Sequence, residues 1–123
     1  MWKNLLIVAI GGGAGSALRY LIQETLHKRI DNFVPYGTFV VNIIGCLLIG
    51  LFIGLVEREK LTNLQLNLLL ISGFCGGFTT FSIFAHQGHT LLTNKPLHAL
   101  IYLGLSVIAG VSIAYIAYRF TKG

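Results

Sequence analysis

Charge is what this sequence has least of. Only 11% of its 123 residues are charged, too few to solvate the surface of a soluble domain of this size. Acids are scarcer still. Glu24, Asp31, Glu57 and Glu59 are the full set of four, and each falls near the end of an apolar segment or between two of them. Paired-carboxylate catalysis therefore has no material, so the chain does not read as an enzyme. Proton coupling through a carboxylate inside a membrane has none either. Metal-ligand clusters are equally thin: His86 and His89 stand three apart with no third ligand in view, and they read as interfacial residues. The two cysteines, Cys46 and Cys75, sit within apolar runs and form no Cys-x-x-Cys. They read as small buried hydrophobes. A formal net charge of +5 raises the question of nucleic acid, but the basic residues stand singly or in pairs between apolar segments, so no nucleic-acid partner is expected.

What the chain has in quantity is apolar sequence, 54% of the total, in long runs. A membrane helix needs roughly 20 mostly apolar residues to cross about 30 Å of hydrocarbon. Four such segments are read at about 5–26, 35–56, 64–92 and 97–120. Pro35 stands at the start of the second, where a helix tolerates it, and Pro96 precedes the fourth. The first segment mimics a secretory leader, with Lys3 ahead of an apolar run and a small stretch at Gly15-Ser16-Ala17. It nevertheless continues through Leu18, Tyr20, Leu21 and Ile22, long enough to span. The predicted class is an all-α integral membrane protein with a single membrane domain and antiparallel neighbouring helices joined by short linkers. Four crossings place both termini on one side, with Lys3, Arg58, Lys60, Arg119 and Lys122, against Lys28, Arg29 and Lys95 on the other. Five against three is a weak bias. It is compatible with one preferred orientation and with insertion of copies both ways.

Glycines mark where helices touch. Gly11 and Gly15 are four apart, as are Gly50 and Gly54, and Gly45 adds to the second helix. Close approach at small residues is a main source of helix association in lipid. The third segment carries the least ordinary stretch, Gly73-Phe-Cys-Gly-Gly-Phe-Thr-Thr-Phe-Ser-Ile-Phe84. Gly76 and Gly77 followed by Thr79 and Thr80 predict an interruption near 76–80. The other reading is an unbroken, glycine-rich helix. Irregular backbone at membrane depth is tolerated only when buried in protein or lining a watery cavity. Freed carbonyls there suit a cation, and exposed amides an anion. Phe81 and Phe84 share a helix face at their spacing. Packing explains such a pair, but ring edges carry positive potential and can also favour an anion. Thr80 and Ser82 add hydroxyls nearby. Thr38 and Asn42 on the second segment, and Tyr102 and Ser106 on the fourth, are each one turn apart and give each helix a narrow polar stripe. Asn42 needs a partner, another helix or a passing ion, because an unpaired amide in hydrocarbon costs several kcal/mol. Arg19, in the second half of the first segment, either snorkels to the interface or anchors a vestibule that attracts anions.

These residues resemble the Fluc (CrcB) family over nearly the whole chain. Gly12-Gly-Ala-Gly-Ser-Ala-Leu-Arg-Tyr20 is similar to that family's first-helix signature, and Val41-Asn42-Ile43-Ile44-Gly45 to its asparagine motif. The third-segment stretch is similar to its most specific signature. The fourth helix matches weakly, through Tyr102 and Ser106. The resemblance implies passive fluoride channels in a bacterial-type inner (plasma) membrane, which drain fluoride left behind when HF enters and dissociates. It implies an antiparallel, dual-topology dimer with two pores, in contact with membrane lipid. It also implies a structural sodium ion at the dimer centre, held by the carbonyls of Gly76 and Thr79 from both subunits. Phe81 and Phe84 match the family's phenylalanine box and Asn42 its pore asparagine. Thr38, Ser82, Tyr102 and Ser106 match a polar track. Ile83, Ala85 and Gln87 depart from the family's usual Thr, Ser and Glu, which changes the local hydrogen bonding. Some family members pair with an unlike subunit, but this chain keeps Asn42, Phe81 and Phe84, which favours a homodimer.

Two other functions share the four-helix layout. A small multidrug exporter would couple protons through an intramembrane glutamate that this chain lacks, and proton-driven uptake of an organic cation would reveal it. A non-transporting membrane subunit would be intact in liposomes and pass no fluoride.

Overall fold

The computed structural model describes residues 1–29, 35–60 and 62–123, with the backbone alone for 27–29. Asp31 and the first linker at 30–34 lie outside the described residues, as do the side chains of Lys28 and Arg29.

The described residues are almost wholly helical. Helix α1 spans Trp2–Arg29 and α2 spans Tyr36–Glu57. The third span is composite: α3 at Leu64–Asn67, a π-helical segment at Leu68–Cys75, α4 at Gly76–Phe78 and α5 at Ser82–Asn94. Helix α6 runs Pro96–Lys122. Local chemistry explains several of the ends. Asn63 Oδ1 accepts from Leu66 N at 3.0 Å and caps α3. Pro96 occupies the first turn of α6, where its missing N–H costs nothing, and Arg119 and Lys122 sit in the last turn, against the negative end of the helix dipole.

Four spans, Trp2–Leu26, Tyr36–Glu57, Leu64–Asn94 and Pro96–Lys122, are long and apolar enough to cross a membrane. Their outer faces are apolar in turn. Leu5, Leu6, Ile10 and Leu21 of α1 and Leu100, Ile108, Val111 and Ile116 of α6 are all exposed. In water such a surface would associate; in hydrocarbon it is solvated. The chain is a multi-pass membrane protein.

The packing is not between sequence neighbours first. The most extensive contacts join α2 to α6 and α1 to the π-helical segment and α4, while α1–α2 and α5–α6 contacts are smaller. Glycine explains both main seams. A Cβ on Gly15 would stand 2.8 Å from Phe78 N and closer still to Phe74 O, while Gly50 and Gly54 face Ala114, Ala117, Tyr118 and Thr121 of α6. Backbone meets backbone at α1, which leaves no room for a side chain. Beyond these seams, Phe84, Leu91, Ala99 and Tyr102 form a buried cluster, with Phe39 and Leu103 packed against it. This cluster ties α5 to α6 and α2.

The interruption of the third span differs in place from the glycine pair that drew attention to it. Gly76 and Gly77 are helical. The chain leaves the helix at Thr79, whose φ of −84° and ψ of 159° are extended, and helix resumes at Ser82. Glycine serves close approach at Gly77, where the place of a Cβ is taken by the Gly12 backbone, whereas a Cβ on Gly76 would meet nothing within 4 Å.

Gly15→Ala should destabilise the folded protein by about 1–3 kcal/mol, the usual cost of overpacking. Gly13→Ala, with nothing within 4 Å of the added carbon, should not. Thermal unfolding of the two purified variants in detergent compares them directly.

Candidate functional site

Where a helix stops inside a membrane protein, its released amides and carbonyls need new partners. Between Phe78 and Ser82 those partners are found one by one. Thr79 still donates from N to Cys75 O at 3.1 Å, and its hydroxyl donates to the same carbonyl at 2.9 Å. Thr80 N–H, which a continuing helix would direct to Gly76 O, instead donates to Asn42 Oδ1 at 3.0 Å. Thr80 O accepts from Asn42 Nδ2 at 3.1 Å. One side-chain amide thus pairs both backbone groups of Thr80, as a neighbouring strand would. Because Thr80 presents both a donor and an acceptor, the pairing also fixes which way the Asn42 amide faces. Thr80 Oγ1, one residue before the Phe81 N-cap of α5, accepts from Ile83 N at 3.3 Å and shares a hydrogen bond of 3.4 Å with Ser82 Oγ. Gly77 O, with no helical donor ahead of it, accepts from Ser16 Oγ at 3.2 Å and from Arg19 Nε at 3.4 Å.

Beside this segment lies an open groove of about 470 Å³, floored by α2 and α6 and walled by the third span. Asn42, Gly76, Thr79, Thr80, Phe81, Phe84 and Ser106 all line it, among apolar neighbours that include Cys46, Cys75, Ile49, Ile71, Val107 and Val111. The two phenylalanines differ sharply. Phe81, non-helical and just ahead of α5, is 77% exposed, whereas Phe84 is 8% exposed. Their ring centroids are 5.8 Å apart and tilted by 49°. Phe84 continues to Tyr102 at 5.3 Å and 48°, so the three rings form a tilted series from the open groove inward.

At the inner end of that series are polar atoms without partners. Tyr102 Oη and Ser106 Oγ, one turn apart on α6, are buried and make no hydrogen bond within the chain, and Gln87 Oε1 is in the same condition. An unsatisfied buried polar group costs about 1–3 kcal/mol, so these hydroxyls call for a partner beyond this single chain. The sequence-predicted residues therefore divide. Asn42, Thr80, Phe81, Phe84, Ser106, Gly76 and Thr79 share the groove. Tyr102 adjoins it through Phe84, and Ser82 through Thr80. Thr38 lies apart from the lining, almost fully buried, and accepts from Gln23 Nε2 at 2.9 Å. Arg19, for which the sequence leaves both a snorkelling and a vestibule role open, also lies outside the lining. Besides Gly77 O, its Nη1 donates to Gln23 Oε1 at 3.2 Å. Sequence reasoning missed Gln23. Its position four residues after Arg19 on one helix face was the available signal.

The carbonyls of Gly76 and Thr79 were expected to hold a cation. Both residues line the groove, and the amides a continuing helix would give them are engaged elsewhere, Thr80 N on Asn42 and Ile83 N on Thr80 Oγ1. Hard carbonyl oxygens released in this way fit a hard monovalent cation. Among the described residues no group of three or more His, Cys, Asp or Glu is arranged to bind a metal. Cys46 and Cys75 are free.

Four membrane-length helices, one of them interrupted beside a groove lined by an amide, hydroxyls and ring edges, define a polytopic membrane protein whose site suits a small ion. The chain belongs to the CrcB-like family, described as CrcB-like protein, Camphor Resistance (CrcB), which matches residues 6–118. It is similar to proteins named fluoride-specific ion channel FluC. It is 46% identical to the one from Flavobacterium psychrophilum over 110 residues, 89% of each chain. Identity to the one from Phocaeicola vulgatus is 42% over 110 residues, 89% of this chain and 90% of the relative. The one from Leptospira interrogans is 40% identical over 116 residues, 92% and 90% respectively.

Proposed function

We propose that this protein is a passive fluoride channel of the bacterial cell membrane that lets cytoplasmic fluoride leak out and so relieves its toxicity. The observation that carries the reading is the pair of buried, unpartnered hydroxyls on Tyr102 and Ser106 beside the Phe84 ring and the Asn42 groove. Fluoride is small and tightly hydrated, so a pathway must replace its water with donors. Tyr102 and Ser106 offer hydroxyls that can turn toward an anion. Asn42 keeps one N–H beyond the one given to Thr80, since an amide nitrogen carries two. Phe81 and Phe84 offer ring edges, whose positive potential is weak and directional. Weak contacts in series suit conduction, which requires release as well as binding. The names carried by the relatives support the choice of fluoride.

The working unit in this reading is an antiparallel homodimer of copies inserted in opposite orientations, with two pores. Three features support it. The basic residues flanking the spans favour neither side strongly. The groove is open along one flank, and Phe81 stands largely uncovered there, as a residue awaiting a partner surface would. A sodium ion at the dimer centre would be held by the Gly76 and Thr79 carbonyls, would join the subunits and would raise the local potential for an anion. The interruption at Thr79–Phe81 then lies near mid-membrane, the depth at which broken helices of transport proteins hold ions.

Fluoride efflux from proteoliposomes, read with a fluoride electrode, tests the function. Purified wild-type protein should release trapped fluoride. Asn42→Asp should abolish efflux, because a carboxylate cannot donate to Thr80 O and brings negative charge to an anion path. Undiminished efflux would remove Asn42 from that path. Phe81→Ile should slow efflux several-fold more than Phe74→Ile, since Phe74 stacks on Phe78 at 5.7 Å, away from the groove. Equal effects would make the phenylalanine pair a packing feature. Exchanging sodium for a large organic cation should lower the melting temperature of the purified dimer by several degrees, and no change would reject the cation site.

A further inference from the structure

The polar contacts around the interruption close into a ring. Gly77 O accepts from Arg19 Nε at 3.4 Å. Arg19 Nη1 donates to Gln23 Oε1 at 3.2 Å, and Gln23 Nε2 donates to Thr38 Oγ1 at 2.9 Å. One turn along α2 from Thr38, Asn42 pairs both backbone groups of Thr80, and three residues of main chain lead from Thr80 back to Gly77. Helix α1 thus holds the turn just before the non-helical stretch and α2 holds its middle residue, and among the described residues Gln23 joins the two grips. An amide is suited to this place because it accepts from a guanidinium and donates to a hydroxyl at once.

We propose that Gln23 and Arg19 are positioning residues for the ion path: they hold Gly77 and Thr38, and through them the Asn42–Thr80 pair, in conducting geometry. The Arg19 charge is committed to a carbonyl and an amide, and it is not an attractor of anions from solution. A guanidinium near a helix-end carbonyl lies by the negative end of the helix dipole, and with the amide of Gln23 this gives a cation on α1 polar company. The inference rests on the fluoride-channel reading and adds a residue that the groove itself does not include.

Substitutions at Gln23 separate positioning from attraction, because the two roles order them oppositely. Gln23→Glu keeps the acceptor for Arg19, and the Thr38 hydroxyl can turn to donate to the new carboxylate, so the ring survives. Gln23→Leu breaks both contacts and leaves Arg19 with Gly77 O alone. Positioning predicts maximal fluoride efflux about tenfold slower for Gln23→Leu, with the half-saturating fluoride concentration unchanged, and efflux within about twofold of wild type for Gln23→Glu. It also predicts that raising inert salt leaves the ratio between variants unchanged, since a fixed hydrogen-bond ring is not screened as a solvent-facing charge would be. Normal efflux from Gln23→Leu would overturn the proposal. So would a loss confined to Gln23→Glu that appears as weaker fluoride saturation and varies with salt. Should Gln23→Leu aggregate in detergent, Arg19→Lys decides, because lysine keeps the charge without the two-way fork. A tenfold loss at unchanged saturation supports positioning, and wild-type efflux refutes it. A wild type that passes no fluoride removes the channel reading and this inference with it, whereas a conducting wild type with an unaffected Gln23→Leu removes this inference alone.

Discussion

A peptide group in hydrocarbon must find a hydrogen bond within the protein, and the pairing of Asn42 with Thr80 is where this chain meets that demand most directly. The non-helical residues Thr79 to Phe81 keep some helical bonds at their ends but would otherwise leave the Thr80 amide and carbonyl unpaired at a cost of several kcal/mol each. Asn42 takes both groups of Thr80, and Arg19 with Ser16 takes Gly77 O. Other contacts follow from that placement. The position a Gly45 Cβ would take is filled by the Thr79 side chain, so Thr79 can lie against α2 only because residue 45 has no side chain. Phe81 projects into the groove because it precedes α5 and is not part of it.

The π-helical segment is the second half of the same arrangement. A π-helix closes its hydrogen bonds one residue later than an α-helix, so it turns the following residues to a different face. Leu68–Cys75 immediately precedes the short α4 and the interruption. It packs on α1 along Gly11 and Gly15, where backbone lies against backbone. A register set on that seam fixes which way Gly76, Thr79 and Thr80 face, and therefore whether Thr80 meets Asn42. The glycines of α1 consequently act on the groove at a distance, through the rotation of the third span.

Much of this was legible in the residues. Run length and charge scarcity gave four spans, since crossing a membrane is a demand on length and composition that sequence records directly. Asn42 stood out because an amide in an apolar run has to be accounted for. The place of the interruption was less legible. Gly76 and Gly77 followed by Thr79 and Thr80 point to an interruption near 76–80, but the two glycines are helical, and Gly77 is small for the sake of α1. The chain leaves the helix at Thr79, whose hydroxyl back-bonds to Cys75 O, and the next residue, Thr80, takes Ile83 N on its own hydroxyl. The partners of Arg19 were legible only in part. Gln23 lies one turn away on the same helix, but Gly77 and Thr38 come from other spans, and no local pattern announces a contact between segments 58 residues apart.

The division of donors between fold and ion has a further consequence. Asn42 spends one N–H on Thr80 and its oxygen on the same residue, so the amide cannot turn to follow a passing anion without releasing backbone. Tyr102 and Ser106 have no such duty. Their hydroxyls rotate about a single bond at little cost. In the proposed channel, one fixed amide and two free hydroxyls, with ring edges between, would offer an anion contacts that are individually weak and of unequal stiffness. There the fixed donor would mark a position and the mobile ones would hand the ion onward. If every donor were as rigid as Asn42, the groove would bind a small halide tightly and stop. If none were, the unpaired backbone of Thr80 would have no partner and the interruption would close into helix.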